Sequence, residues 1–453
     1  MARCALHRIV PHCRPKDLDS IASAIAYAWF ASVAKQSNTV PLVQTPHPDL
    51  PLRTENLYAL SVSGFGDVSN DPQKLDILCL DDLSKSSPFP SHKFALVDHN
   101  QLGSQFVKGN PNATVVSVVD HHDDEGLYRD TADPRIIKVP TGSCASLIAD
   151  LIHTQSSTEI AILPELATLL ICSILIDTNA LKPGGKAENS DRRAMAYLLP
   201  RSTFLAAFPM PVAGIDPGTD FGSIPVLKRL TKDLKTKKDD VSHLGTRDQI
   251  RRDYKEDTLT PLWAKDSQIQ VGLSSIPISF ESWIPRDKDF YSAIEGWIKE
   301  RQLAALVVIT SFDDEKKGKK KKDEKDKGDK KDKKDKKENK DKKDKKDKKD
   351  KTDKKKDGED KKKDEEHRRQ LVVVVADDKD LASKLFPGLE QQRIRLKLEE
   401  RSFEEFGAKK PTGDFGWVLQ AKIYEQGNVE SSRKVVAPIV SEIVEGSPPE
   451  VNL

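Results

Sequence analysis

Cysteine is scarce and irregularly placed in this chain. Cys4, Cys13, Cys79, Cys144 and Cys172 form no CxxC pair and no repeating framework. That excludes a disulfide-stapled scaffold, and an odd set of thiols suits a reducing compartment, so a cytoplasmic protein is expected. No apolar run reaches the ~18 residues that a membrane helix needs, and no continuous apolar core of the signal-peptide kind follows the basic N-terminus. A membrane partner is therefore not expected.

Apolar residues are also thin, at 37% hydrophobic against 32% charged, a polar balance for a globular protein. The deficit is local. Residues 313–366 are nearly all Lys, Asp and Glu, with 28 Lys against 21 acids, while the rest of the chain holds 46 basic and 51 acidic residues. The remainder is mildly acidic, which argues against a broad nucleic-acid-binding face. The charged run has almost nothing apolar to offset the entropy of ordering, so a disordered insertion is expected over 313–366. A charged single helix is the alternative, weakened because Asp is a poor helix former. A solvated, tolerated insertion is the favoured role, ahead of attraction of polyanions.

The 453 residues are enough for two domains of ordinary size. In the first half, short apolar runs alternate with helical patterns. Asp17 to Ala34 has apolar residues near helical spacing behind an Asp and a Ser that can cap its start. Residues 75–80 (LDILCL), 94–97 (FALV) and 114–119 (TVVSVV) read as buried parallel strands, and Ser143–Ile152 and Leu163–Ile176 read as helices. The pattern predicts an α/β fold with a doubly wound, mainly parallel sheet over residues 1–200. A connecting segment over 201–260 leads to a smaller α/β domain over 261–453, with strands at 269–275, 304–310, 371–376 and 394–398. A final helix is expected over Ser432–Val444. The charged run falls between two of these strands. A long flexible loop adds little closure entropy, so they remain free to pair.

Four acidic motifs sit where a ligand crevice is expected. Asp17 and Asp19 bracket one residue at the mouth of the first helix, and in extended chain their carboxylates point the same way. Asp98 follows FALV, Asp120-His121-His122 follows TVVSVV, and Asp177 ends an apolar helix in ILIDTN. Polar residues just past strand ends line the crevice of such sheets. Each has a plain alternative: a strand-terminal Asp is often a cap, and an adjacent His pair is often incidental. A lone buried acid is costly unless paired or metal-bound. Oxygen donors with one imidazole suit Mn²⁺ or Mg²⁺.

In this order DLDSIASA, LVDHN, VVDHHDDEG and ILIDTN resemble the four signature motifs of the DHH phosphoesterases. TGSCASLI, VGLSSI and ESSRKVVAPIV resemble the exopolyphosphatase and prune-like branch, whose C-terminal domain is of the DHHA2 type. The resemblance covers residues 17–312 and 367–445. It implies two divalent ions, Mn²⁺ or Mg²⁺, on Asp17, Asp19, Asp98, His121 and Asp177, with Asp98 bridging and Asp120 orienting the histidine or joining the ligands. It implies that His122 and Lys186 act on the substrate phosphate, and that Ser275 (or Ser274), Arg433 and Lys434 bind the phosphate chain. Residues alone would make Arg433-Lys434 an exposed basic helix start. The implied activity is release of orthophosphate from the end of inorganic polyphosphate by metal-activated water attack. Pyrophosphate hydrolysis on the same two-domain plan is the alternative, followed by a prune-like binding or signalling role with weak catalysis. Cys13, beside His12, stands where the family has Asn or His, four residues before Asp17. A soft thiolate is a poor donor there, so His12 substitutes, or a contact is lost, or the natural start differs.

Overall fold

The computed structural model describes residues 8–11, 17–83, 89–155, 160–204, 215–315, 365–407 and 419–446. The readings placed on His12, Cys13 and the charged run at 316–364 lie outside the described residues.

The first sheet is built from β1 (Arg8–Pro11), β2 (Thr39–Val43), β3 (Leu78–Cys79), β4 (Lys93–Val97), β5 (Thr114–Asp120) and β6 (Arg135–Ile137). Its strands run parallel in the order β3-β2-β1-β4-β5-β6. The chain winds outward from β1 and returns to β4, so the switch point lies between those two strands, where such sheets bind ligands. The helices of this half are α1 (Leu18–Ala34), α2 (Thr54–Ser63), α3 (Leu80–Leu83), α4 (Ser104–Val107), α5 (Cys144–Gln155), α6 (Pro164–Asp177), α7 (Asn189–Leu198) and α8 (Pro225–Asp239). Alternation along β4 sends Ala95 and Val97 into the core shared with α1, α5 and α6, and Phe94 and Leu96 into the opposite one with Leu83 and Phe106. Both faces are therefore covered, as a parallel sheet requires.

Two local readings are corrected. No strand is expected ahead of Asp17, yet Arg8–Pro11 pairs with β2 along its length and with β4 at Ile9. Neighbouring strands on both sides override its weak propensity, and Pro11 is tolerated because it ends the strand. Of the expected strand over 75–80 only Leu78–Cys79 forms, since Leu80 already begins α3.

The second sheet comprises β7 (Tyr254–Leu259), β8 (Ile269–Ile276), β9 (Leu303–Thr310), β10 (Phe312–Glu315), β11 (Glu365–Ala376), β12 (Leu398–Arg401) and β13 (Leu419–Gln426). Its order is β12-β13-β11-β9-β8-β7, with β10 on β11, and only β8 and β9 are parallel. Helices α9 (Thr246–Arg252), α10 (Phe280–Trp283), α11 (Phe290–Arg301), α12 (Lys379–Glu390) and α13 (Arg433–Glu445) cover it. Leu371, Val373 and Val375 face one core, Val372 and Val374 the other. The strands flanking the charged run pair antiparallel, Leu371 opposite Ile309, and β10 extends the hairpin until Glu315 meets Glu365. The strand expected at 394–398 forms instead at Leu398–Arg401. Lys397 takes φ 53° and Ile394 is 86% exposed, so the preceding segment turns before it can join β13. Within 201–260, α8 packs its Leu227, Leu230 and Leu234 on the first domain's core, whereas β7 is an edge strand of the second sheet.

Candidate metal and phosphate site

Asp17 caps α1, its carboxylate accepting the Ser20 N–H at 3.1 Å. Asp19 lies inside the first helical turn, so proximity of the two carboxylates comes from the helix start and not from an extended chain, which corrects the geometric reading. Asp19 is buried. It accepts the Ala145 N–H at 2.8 Å, the Cys144 N–H at 2.6 Å, and the hydroxyls of Ser143 and Ser173 at 2.8 and 2.9 Å. The two N–H groups belong to the first turn of α5, whose positive end thus stabilises the carboxylate.

Asp98 directly follows β4 with φ 62°, a left-handed conformation that a non-glycine residue adopts at a cost. Its Oδ2 accepts the Ser20 hydroxyl at 2.5 Å. Its Oδ1 is buried with no hydrogen-bond partner and lies 3.2 Å from His121 Nε2, which is 3.8 Å from Asp19 Oδ2. His121 Nδ1 donates to the Thr141 carbonyl at 3.0 Å, so Nε2 is the ring atom aimed at the carboxylates. An orphaned carboxylate oxygen beside an imidazole nitrogen whose other nitrogen is held by a carbonyl is an arrangement that a cation completes.

Electrostatics agree. Burial, then Asp19 and Asp17, push the carboxyls of Asp98 and Asp177 well above the usual carboxylate range. Burial and Asp19 raise Asp17 as well, against the pull of Arg53. Asp177 ends α6, and Lys186 and Lys238 act in its favour as a carboxylate. Clustered buried acids of this kind mark functional sites, and the residues present fit divalent cations.

Asp120 differs from these. Burial alone would raise its carboxyl, but hydrogen bonds from His122 and Asn100 hold it below the usual range. Its Oδ1 accepts the N–H groups of His121 and His122 at 2.8 and 3.3 Å and His122 Nδ1 at 2.8 Å. Its Oδ2 accepts Asn100 Nδ2 at 2.5 Å. Fully buried, it orients the pair and turns the half-exposed His122 ring so that Nε2 faces outward.

One cleft of about 1210 Å³ is lined by Asp17, Asp19, Asp98, Asp120, His121, His122 and Asp177, with Lys186 from the first domain and Lys255, Arg433 and Lys434 from the second. Arg433 is anchored on Asp253, donating to its carbonyl at 2.6 Å and its carboxylate at 3.0 Å. The structure does not bring the predicted serines here. The Ser274 hydroxyl is buried and donates to the Ile250 carbonyl at 2.7 Å, and Ser275 is not among the cleft-lining residues. Leu273 of β8 lines the cleft instead, and alternation turns Ser274 to the opposite face.

Sequence reasoning missed Ser20, His99, Asn100, Thr141 and Ser143. His99 lines the cleft with Nδ1 on the Val97 carbonyl at 2.8 Å and a buried Nε2 without a partner. The Asn in LVDHN and the Ser in TGSCASL were the available signals. Asp191 organises the second of these motifs, accepting the N–H groups of Gly142 and Ser143 at 2.9 and 3.2 Å.

Fold and site define a two-domain α/β protein whose buried and half-buried carboxylates and imidazole converge on one cleft, a candidate cation site, at a sheet switch point. The chain belongs to the DHH family, in its prune-like exopolyphosphatase branch: residues 8–174 match the DHH family N-terminal domain and residues 232–443 match the DHHA2 domain. It is 36% identical over 178 residues to a Schizosaccharomyces pombe protein named, provisionally, an exopolyphosphatase, covering 37% of this chain and 43% of that one. It is 24% identical over 307 residues to mouse (Mus musculus) exopolyphosphatase PRUNE1, covering 65% of this chain and 58% of that one. An Archaeoglobus fulgidus protein, provisionally a manganese-dependent inorganic pyrophosphatase, is 28% identical over 228 residues, covering 47% of this chain and 58% of that one. The chain thus spans about half the length of the curated relatives it matches. Among the described residues, no helix is long and apolar enough to cross a membrane.

Proposed function

We propose that the chain is a metal-dependent exopolyphosphatase that releases orthophosphate from the end of inorganic polyphosphate. The observation that carries this reading is the convergence of the orphaned Asp98 Oδ1, His121 Nε2 and the raised carboxyls of Asp17 and Asp177, below a wall holding Lys186, Arg433 and Lys434. Asp17, Asp19, Asp98, His121 and Asp177 would hold two divalent ions, Mn²⁺ or Mg²⁺. When bound, such ions neutralise phosphate oxygens and acidify water.

The chain's own groups do the rest. His122 presents Nε2 to the terminal phosphate while Asp120 keeps its Nδ1 protonated and raises its basicity. Lys186 and Lys434 neutralise charge that grows on the phosphate oxygens. Arg433, held by Asp253, fixes the direction of the following phosphates. The cleft has room for several phosphates, which favours polyphosphate over pyrophosphate. The relatives named for each substrate keep both reactions in view. The two domains act as a DHH unit carrying the carboxylates and a DHHA2 unit closing over the chain. The buried free thiols of Cys79, Cys144 and Cys172 support a cytoplasmic setting.

Product analysis tests the reading. Incubation with a polyphosphate of defined length should yield orthophosphate and progressively shorter chains, with pyrophosphate a poorer substrate. Mid-length fragments without orthophosphate, or activity confined to pyrophosphate, would overturn it.

A further inference from the structure

A second set of ligand-type side chains lies outside the cleft, at the carboxyl ends of β2 and β3. His47 opens the short 3₁₀ segment His47–Leu52, Cys79 ends β3, and Asp81 and Asp82 belong to α3. One ligand atom from each of the four lies within 4.8 Å of all the others. His47 Nδ1 is 3.2 Å from Asp81 Oδ1 and 3.8 Å from Asp82 Oδ2. Ligands at ~2.0–2.3 Å from a tetrahedral ion stand roughly 3.3–3.8 Å apart, so the two His47 distances match and the remaining ligand atoms, all within 4.8 Å, would close in on the ion. Backbone donors steady both carboxylates: the His47 N–H reaches Asp81 Oδ1 at 3.0 Å and the Cys79 N–H reaches Asp82 Oδ2 at 2.8 Å.

Cys79 supplies an independent observation. Its side chain is fully buried at the margin of the first core, yet its sulfur lies within 4.8 Å of an imidazole nitrogen and of an oxygen from each of two carboxylates. A cation at the centre would hold this thiol as thiolate. Mixed nitrogen, sulfur and oxygen donors suit zinc-class ions better than the harder Mn²⁺ or Mg²⁺.

We propose that His47, Cys79, Asp81 and Asp82 bind one zinc-class divalent ion, separate from the ions of the cleft. None of the four residues lines that cleft. The ion has a structural role. The segment it would fix also carries Asp49, which pairs with Arg251, and the Leu52 carbonyl, which accepts Arg252 Nε at 2.9 Å. It therefore ties the outer edge of the first sheet to the approach to the second domain.

Cobalt titration of the metal-depleted full chain reads thiolate ligation through a near-ultraviolet sulfur-to-metal band. The expected result is a band that saturates in a single binding step, absent in Cys79→Ser, retained in Asp98→Asn, and at least tenfold weaker in apparent affinity in His47→Ala. Because His47 is partly exposed, His47→Ala keeps the test valid if Cys79→Ser fails to fold. Zinc should raise the melting temperature of the parent and of Asp98→Asn by clearly more than that of His47→Ala, which keeps only the cleft's ligands. Absence of the band in the parent, its survival in Cys79→Ser, or equal zinc stabilisation of His47→Ala would overturn the proposal.

Discussion

Asp120 is spent on its neighbours, with three donors on one oxygen and Asn100 on the other. Asp98 keeps one buried oxygen bare. Two aspartates of adjacent strands are thereby given different work by their surroundings alone. Asp120→Asn should leave the fold intact while lowering divalent-ion affinity about 10–100-fold, measured by calorimetric titration with Mn²⁺. Unchanged affinity would mean that the histidine pair does not depend on Asp120. At this scale the carboxylates and His121 were legible because motifs at strand and helix ends put costly acids in one crevice. The partners were not. Ser143 and Thr141 reach the site from the turn before α5, a contact that depends on how that helix packs against β5. Of the expected serines, Ser274 faces away from Leu273 along β8, and Ser275, on the same face as Leu273, does not line the cleft.

Elements were most legible where a long apolar run stood out, as in α1, α6 and the LVVVVA of β11. Those decided by pairing were not: β1 exists because β2 and β4 flank it, and β12 starts late because Lys397 turns the chain. Capping across segments was equally invisible. The start of α9 is held by Asp287, whose Oδ2 accepts the Thr246 N–H at 2.6 Å and hydroxyl at 2.5 Å. Burial alone would raise this carboxyl, but those bonds hold it below the usual range. Its stabilisation is therefore present above the unfolded carboxylate pKa and lost as pH falls through the folded value. Asp287→Asn should cost about 1–2 kcal/mol at neutral pH, with the gap from the parent closing in melts taken below pH ~4. At the β10–β11 hairpin, Glu315 and Glu365 are cross-strand partners. On the compositional expectation that residues 316–364 do not fold, a short turn in their place should raise stability by up to about 2 kcal/mol, from three to four halvings of loop length. Its KM for polyphosphate should stay level across ionic strength; a rise at low salt would assign the lysines a steering role.

The whole molecule depends on how firmly two sheets share one cleft. Glu55 of α2 is buried between Arg53 and Arg252, 3.4 Å from each, and Arg252 donates to the Lys238 carbonyl at 2.6 Å. Arg53 also reaches toward Asp253, the anchor of Arg433. Removing the carboxylate strands two buried guanidinium groups. Glu55→Gln should therefore cost about 3 kcal/mol in chemical denaturation and raise KM through a looser second domain. A loss below 1 kcal/mol would place the network in solvent. The central claim is that the carboxylate cluster and the basic wall form one hydrolytic site. Orthophosphate release from long-chain polyphosphate, with Mn²⁺ or Mg²⁺, compared between the parent and Asp98→Asn, tests it most directly. Metal-dependent release by the parent, lost by at least a hundredfold in a folded Asp98→Asn, is the predicted result; no release by the parent, or equal release by both, would contradict it.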